Sequence, residues 1–477
     1  MLHFSFVRRF FAAGVLTVLL AVITFPITGF ATAATAVDCE SFSCTDVAFT
    51  GGGGLTLHGT VIGPAGTPSE TPGVVLVGGS GPVPRTQLQF EARAFAAAGI
   101  TALIYDKRTD GYSFTHRDFA LLADDALAAA RALRHTAGVR ADKVGLWGFS
   151  EGGWVAPLAA SHSADIAFLI TLGASGFSPL RTQTWSLAMN LRHRGARGSL
   201  PETIAGPTAR LLGDTGAFPA ADFDPLPALT ALRIPVLALW GQYDMQVPPA
   251  ESAAVLRNTL TASPSVTIDF LPDAAHNGRS TSNGFDRLGV APGAAAPPGA
   301  FAPGYLDTMT TWIHRTADGT PPPSSAAAPP SQTVTSTDPG HGWSTSARTQ
   351  IALCIATILA FTAYPLRTST KGGTTRATRL SRLLSCTAVV SILATLTYTL
   401  SILVFNAQPT GPTIASRSLI WLILQSLAVL TTVFLAATAI TAARPGLPTR
   451  HRIAQSVPLL AGCLWLAWAI MWGLFSV

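Results

Sequence analysis

Between about residues 45 and 315, short apolar runs alternate with segments of helical period. The runs "GVVLVGG" (73–79), "ITALIYD" (100–106), "KVGLWG" (143–148), "IAFLITLG" (166–173), "IPVLALWG" (234–241) and "SVTIDFL" (265–271) read as buried strands. Helix-like segments lie between several of them. In "RDFALLADDALAAARALRHTA" (117–137), Phe119, Leu122, Ala126, Ala130 and Leu133 share one face. Strands that are apolar on both sides need cover on both sides. The pattern therefore predicts an α/β domain over 37–316 with a mostly parallel sheet.

Three stretches break this rhythm. Residues 176–232 hold helix-like pieces, Pro and Gly, and read as an insertion serving as a lid or as a surface excursion. Residues 317–348 are rich in Pro, Ser, Thr and Ala and read as a linker. Four apolar segments follow at about 349–366, 383–405, 418–442 and 453–475, each near the ~20 residues that cross a bilayer. Four transmembrane α-helices over 349–477 are expected, the first of them the shortest and ending at Pro365.

Composition sharpens the membrane reading. Charged residues are only 12% of the 477, and mean hydropathy is +0.38. No Asp or Glu follows Asp338, whereas ten of the 31 basic residues do. The first 338 residues thus carry twenty-one basic against twenty-five acidic residues, so the high pI belongs to the tail and does not point to nucleic acid. Five basic residues fall in 367–382 and three in 443–452, which predicts that those loops face the cytoplasm. The α/β domain is then expected on the extracytoplasmic side. Residues 1–36, with Arg8 and Arg9 before a short apolar core and Ala34-Thr35-Ala36 at its end, independently read as a secretory signal peptide or an uncleaved anchor. Cys39 and Cys44 could close a small disulfide in an exported domain; Cys354, Cys386 and Cys463 sit in apolar tail segments. No cysteine spacing suggests a metal site, and no cofactor is expected.

The chemistry centres on "LWGFSEGGWVAP" (146–157). Ser150 follows a strand and precedes a helix-like segment, and a turn that sharp holds its central residue under strain. Gly148 and Gly152 supply the small neighbours such an elbow needs. A serine hydroxyl needs a base, and the base needs an orienting acid. In the chain order expected on such a sheet the acid and then the histidine come after the serine, which leaves His276 in "LPDAAHNG" as base, since His314 sits in an expected terminal helix. Asp244 in "IPVLALWGQYDMQVPP" directly follows a strand and is the preferred acid. Asp214, Asp222 and Asp224 fall in the insertion, and Asp273 stands too close to His276. The oxyanion hole is expected from the backbone N–H of Glu151 and of Ser80 in "GGSGP", with the Glu151 side chain facing solvent.

Taken in order, "LTLHGTVIGP", "VLVGGSGP", "YDKRTDGYS", "VGLWGFSEGGWVAP", "IPVLALWGQYDMQVPP" and "LPDAAHN" resemble the α/β-hydrolase superfamily. The likeness is to its bacterial esterase and serine-peptidase branch, including catalytic domains of the prolyl-oligopeptidase type, over roughly Asp46 to Arg315. It implies a sheet of about eight strands and a Ser150–Asp244–His276 triad acting through an acyl-enzyme. Two departures bear on the pocket wall: Gly78-Gly79 stand where the oxyanion loop often has His-Gly, and Thr109-Asp110 where Gly is usual. The tail has no place in the family pattern.

Three functions compete. The first is an exported, membrane-tethered serine hydrolase acting on a small-molecule ester, a thioester or a lipid. The second is a serine peptidase on small peptides. The third is a catalytically silent ligand-binding or sensor domain on a membrane anchor. The bilayer is the expected partner of the tail, which could also pair two copies into a homodimer.

Overall fold

The structure, a computed structural model, describes residues 37–66, 70–113, 115–287, 300–340, 342–368, 376–444 and 449–477. The expected signal segment lies outside them, as do parts of the two basic loops.

The domain opens with a hairpin, β1 (Ser43–Thr50) antiparallel to β2 (Thr56–Gly63). Next come β3 (Thr71–Val77), α1 (Gln89–Ala97), β4 (Thr101–Tyr105), α2 (Phe119–Arg134), β5 (Val139–Phe149), α3 (Gly152–Ser161) and β6 (Leu169–Leu172). The insertion contributes α4 (Pro179–His193), α5 (Ser199–Thr203), α6 (Ala209–Asp214) and α7 (Leu226–Ala231). The chain then returns through β7 (Val236–Gly241), α8 (Pro249–Thr259), β8 (Val266–Leu271), α9 (Tyr305–Ala317) and the two-residue β9 (Ser325–Ala326). Among the described residues these strands form one sheet in the order β1-β2-β4-β3-β5-β6-β7-β8-β9. The β1–β2 and β2–β4 pairs are antiparallel, and every pair from β4–β3 onward is parallel.

Strand alternation sorts the core into two layers. Val75 and Val77 of β3 pack on one face with Leu103, Leu146, Ala238 and the inner face of α2. Val74 and Leu76 pack on the other with Ile104, Trp147, Leu237 and α9. Helix α2 starts where its sequence says it should. The Asp118 side chain accepts from the N–H groups of Ala120 and Leu121, and the expected stripe from Phe119 to Leu133 is buried.

The Pro-rich stretch read as a linker is bound along the domain. Its residues 325–326 extend the sheet as a ninth strand beside β8. The carbonyl of Val334 accepts from Trp185 Nε1 at 2.8 Å, and Ser336 N donates to Glu251 at 2.8 Å. Proline removes donors but leaves carbonyls, and a folded surface offering side-chain partners can still order such a chain.

Among the described residues four helices follow: α10 (Ala347–Thr368), α11 (Arg376–Val404), α12 (Leu419–Ala442) and α13 (Thr449–Met471). Among the described residues α11 and α12 are long and apolar enough to cross a membrane. The apolar stretches of α10 and α13, 347–362 and 455–471, are shorter. A third core joins this region to the insertion. Leu187 and Leu191 of α4, Leu200 of α5 and Ile204 pack with Trp421, Trp465, Trp468 and Trp472. Polar contacts seal the seam: Asn190 Nδ2 to Asn406 O at 2.8 Å, Arg197 N to Ser416 O at 2.7 Å, and Trp421 Nε1 to Ser199 Oγ at 3.0 Å.

Candidate active site

Strand β5 ends at Phe149 and α3 begins at Gly152, leaving Ser150 and Glu151 to make the turn. Ser150 has φ +55°, in the left-handed region that costs an L-residue of order 1–3 kcal/mol. Its N–H bonds to Leu172 O at 2.9 Å, and its carbonyl accepts from Gly153 N at 2.8 Å. The flanking glycines are required by space. A Cβ on Gly148 would lie 2.2 Å from Gly152 O, and one on Gly152 would lie 2.3 Å from Val77 O. Both obstacles are backbone and cannot swing away.

Asp244 sits just beyond β7 and is 2% exposed. Its Oδ1 accepts from the N–H groups of Gln246 and Val247, each at 2.9 Å. Its Oδ2 lies 2.8 Å from His276 Nδ1. A carboxylate can only accept, so Nδ1 is the donor in this pair, and in the neutral imidazole Nε2 is then the acceptor. Nε2 is buried and has no hydrogen-bond partner among the described residues, Ser150 Oγ included. The Phe149 ring lies 5.1 Å from the His276 ring. A Cβ on Gly173, the residue after the Leu172 that holds Ser150, would lie 2.6 Å from His276 Cε1. Ser150, Asp244 and His276 therefore gather at the carboxyl ends of β5, β7 and β8.

The His276 loop is braced from behind. Arg279 pairs with Glu91 of α1 at 2.7 Å and stacks over the Phe301 ring at 3.8 Å. Burial pushes the Glu91 carboxyl up, against the pull of Arg279. The other candidates have structural partners. His314 Nε2 is 2.7 Å from Ala98 O, Asp214 and Asp222 pair with Arg210, and Asp224 accepts from Leu226 N at 3.0 Å. Asp273 occupies a turn at φ +51°.

The Glu151 side chain does not face solvent, contrary to the sequence expectation. It is 0% exposed. Tyr112 Oη lies 2.9 Å from Oε1, Arg117 3.0 Å and Ser80 Oγ 3.1 Å from Oε2, and Lys107 forms a buried ion pair with Oε1. The elbow forces Glu151 inward, and cations from the segment after β4 are there to receive it. Lys107, Tyr112 and Arg117 carry no motif of their own in the sequence; the one signal is Glu151 itself, since a glutamate among glycines and apolar residues at an elbow needs a buried partner. Among the described residues no group of three or more His, Cys, Asp or Glu could hold a metal ion.

The prolyl oligopeptidase family profile matches residues 120–289, a span that contains Ser150, Asp244 and His276. This is the α/β-hydrolase fold. The match supports a hydrolase and leaves esterase and peptidase unresolved. No curated protein matches the chain. Among solved structures it resembles DcsB in complex with its substrate analogue (18% identity, TM-score 0.40, 58% of this chain and 99% of that one). It also resembles a dienelactone hydrolase from Anabaena variabilis (20%, 0.33, 57% and 94%) and the acylaminoacyl peptidase of Pyrococcus horikoshii (18%, 0.36, 50% and 38%). At these identities and TM-scores no substrate passes from those proteins to this one.

Proposed function

We propose that the chain is an exported, membrane-tethered serine hydrolase that cleaves an ester or thioester through Ser150, His276 and Asp244. The observation that carries this reading is the strained Ser150 at the same sheet end as a buried His276–Asp244 pair whose Nε2 has no hydrogen-bond partner among the described residues. In the reaction Ser150 Oγ attacks the carbonyl carbon while Nε2 takes its proton. Asp244 holds the imidazole in the productive tautomer and stabilises the imidazolium. The N–H groups of Glu151 and Ser80 receive the oxyanion of the tetrahedral intermediate, with the N-terminus of α3 adding favourable dipole. His276 then protonates the leaving oxygen or sulfur as the bond breaks, leaving an acyl-Ser150. Water attacks that ester by the same base and frees the acid.

Tethering rests on α11 and α12 and on the outward apolar residues Ile423, Val429, Val433 and Ile440 of α12. Extracytoplasmic orientation of the domain rests on the basic loops. A peptidase is the second reading, favoured by the family match. Turnover of an aminoacyl-naphthylamide panel with poor turnover of esters would select it.

The test is labelling of intact cells with a membrane-impermeant fluorophosphonate, full-length wild type against Ser150→Ala. Labelling of the wild type alone is expected. Equal labelling of both variants removes Ser150 as nucleophile. Labelling of the wild type only after lysis overturns the orientation.

A further inference from the structure

Three consecutive residues of the loop after β3 are each held by one buried polar cluster. Lys107 Nζ donates to Gly79 O at 2.6 Å. Ser80 Oγ donates to Glu151 Oε2 at 3.1 Å. Gly81 N donates to Tyr112 Oη at 2.9 Å. The three holding groups are themselves joined, since Lys107 and Tyr112 both bind Oε1 of Glu151 and Arg117 binds Oε2. The same loop lies against the nucleophile: a Cβ on Gly79 would be 3.3 Å from Ser150 Cβ.

We infer that Glu151, with Lys107 and Tyr112, is a positioning unit that sets the oxyanion loop at a fixed distance from the nucleophile elbow. This rests on the serine-hydrolase reading above. Glu151 serves both halves of the hole at once. Its backbone N–H is one proposed donor, and its carboxylate holds the residue whose N–H is the other. A shift of either half moves both donors away from the place where negative charge develops. Hydrogen bonds of this kind matter only when aligned with the transition state.

Energetics argue against a purely structural role. Taking a carboxylate and an ammonium out of water carries a large desolvation penalty, and an apolar pair of similar volume is often as stable. Placing such a pair directly beside the nucleophile is therefore a costly choice for stability and a useful one for geometry. Burial pushes the Lys107 ammonium down, opposed by Glu151, which marks how far the group is removed from solvent.

The test uses the full-length protein in detergent, with active sites counted by fluorophosphonate titration. Glu151→Gln keeps the shape and removes the charge; Tyr112→Phe removes only the hydroxyl that links Gly81 to Glu151. On p-nitrophenyl esters, Glu151→Gln should lower kcat per titrated site about 10- to 100-fold, below the ~10²–10³ of losing a donor outright, with KM within about twofold. Tyr112→Phe should lower kcat about 3- to 10-fold, and the double variant should lose less than the product of the two. Affinity for an alkyl trifluoromethyl ketone, which forms the tetrahedral adduct, should fall in step with kcat/KM. A destabilised but correctly aligned site would not show that parallel. If both variants keep kcat and inhibitor affinity within twofold of wild type, the inference is wrong while the hydrolase reading stands. Should Glu151→Gln fail to fold, Tyr112→Phe alone decides by the same criteria. A wild type inert to esters and to fluorophosphonate overturns the hydrolase reading and this inference together.

Discussion

His276 Nδ1 lies 2.8 Å from Asp244 Oδ2, and the other carboxylate oxygen is pinned by two backbone amides. The acid is thus oriented before the histidine is, and it can select one imidazole tautomer. Asp244→Asn keeps the shape but can offer an N–H to Nδ1, which favours the tautomer with its proton on Nε2. The expected result is a fall in kcat of about 10³–10⁴ with the fold intact, read as ester turnover alongside a thermal melt. A loss below tenfold would remove Asp244 from the mechanism.

The elbow is a steric prediction. Gly148→Ala drives a methyl group to 2.2 Å from a backbone carbonyl that the start of α3 holds in place. Relief requires moving the strand end or the helix, so destabilisation of about 3 kcal/mol is expected, together with loss of fluorophosphonate labelling. A variant with unchanged melting temperature and labelling would show that the turn can open to admit a side chain.

The tail should also support the insertion. Deleting 347–477 strips Trp421, Trp465, Trp468 and Trp472 from Leu187, Leu191, Leu200 and Ile204. It also frees Arg197 N from Ser416 O. Limited trypsinolysis of the truncated domain should then cut first near Arg194 and Arg197, at least about tenfold faster than in the full chain. Equal resistance would mean that the insertion folds without the helices.

The Cys39–Cys44 bridge closes a loop with a sequence separation of only 5. Loop-closure entropy for so small a ring is worth about 2 kcal/mol. Reductant, or the double Cys→Ser variant, should lower stability by no more than that, measured by denaturant unfolding of the full-length protein. A larger loss would point to a role in holding β1 on the sheet.

Sequence alone determined the alternation of strands and helices, because burial on two faces leaves continuous apolar runs that survive any tertiary arrangement. It likewise determined the Gly-Phe-Ser-Glu-Gly elbow, where the backbone must bend too tightly for side chains at Gly148 and Gly152. The order Ser150, Asp244, His276 was legible for a related reason: each stands at or just beyond the end of an apolar run. Only the tertiary structure decided what the charged side chains do. Glu151 is flanked by residues that give no hint of a cation, and its partners Lys107 and Arg117 lie some forty and thirty positions upstream. The insertion and the tail likewise each carry an ordinary amphipathic or apolar pattern. That they share one core depends on which faces meet in space, a pairing no local period encodes. The Pro-rich strap shows the same limit: its composition forbids a core of its own, but carbonyls and a short edge strand suffice once a folded surface is there to bind them.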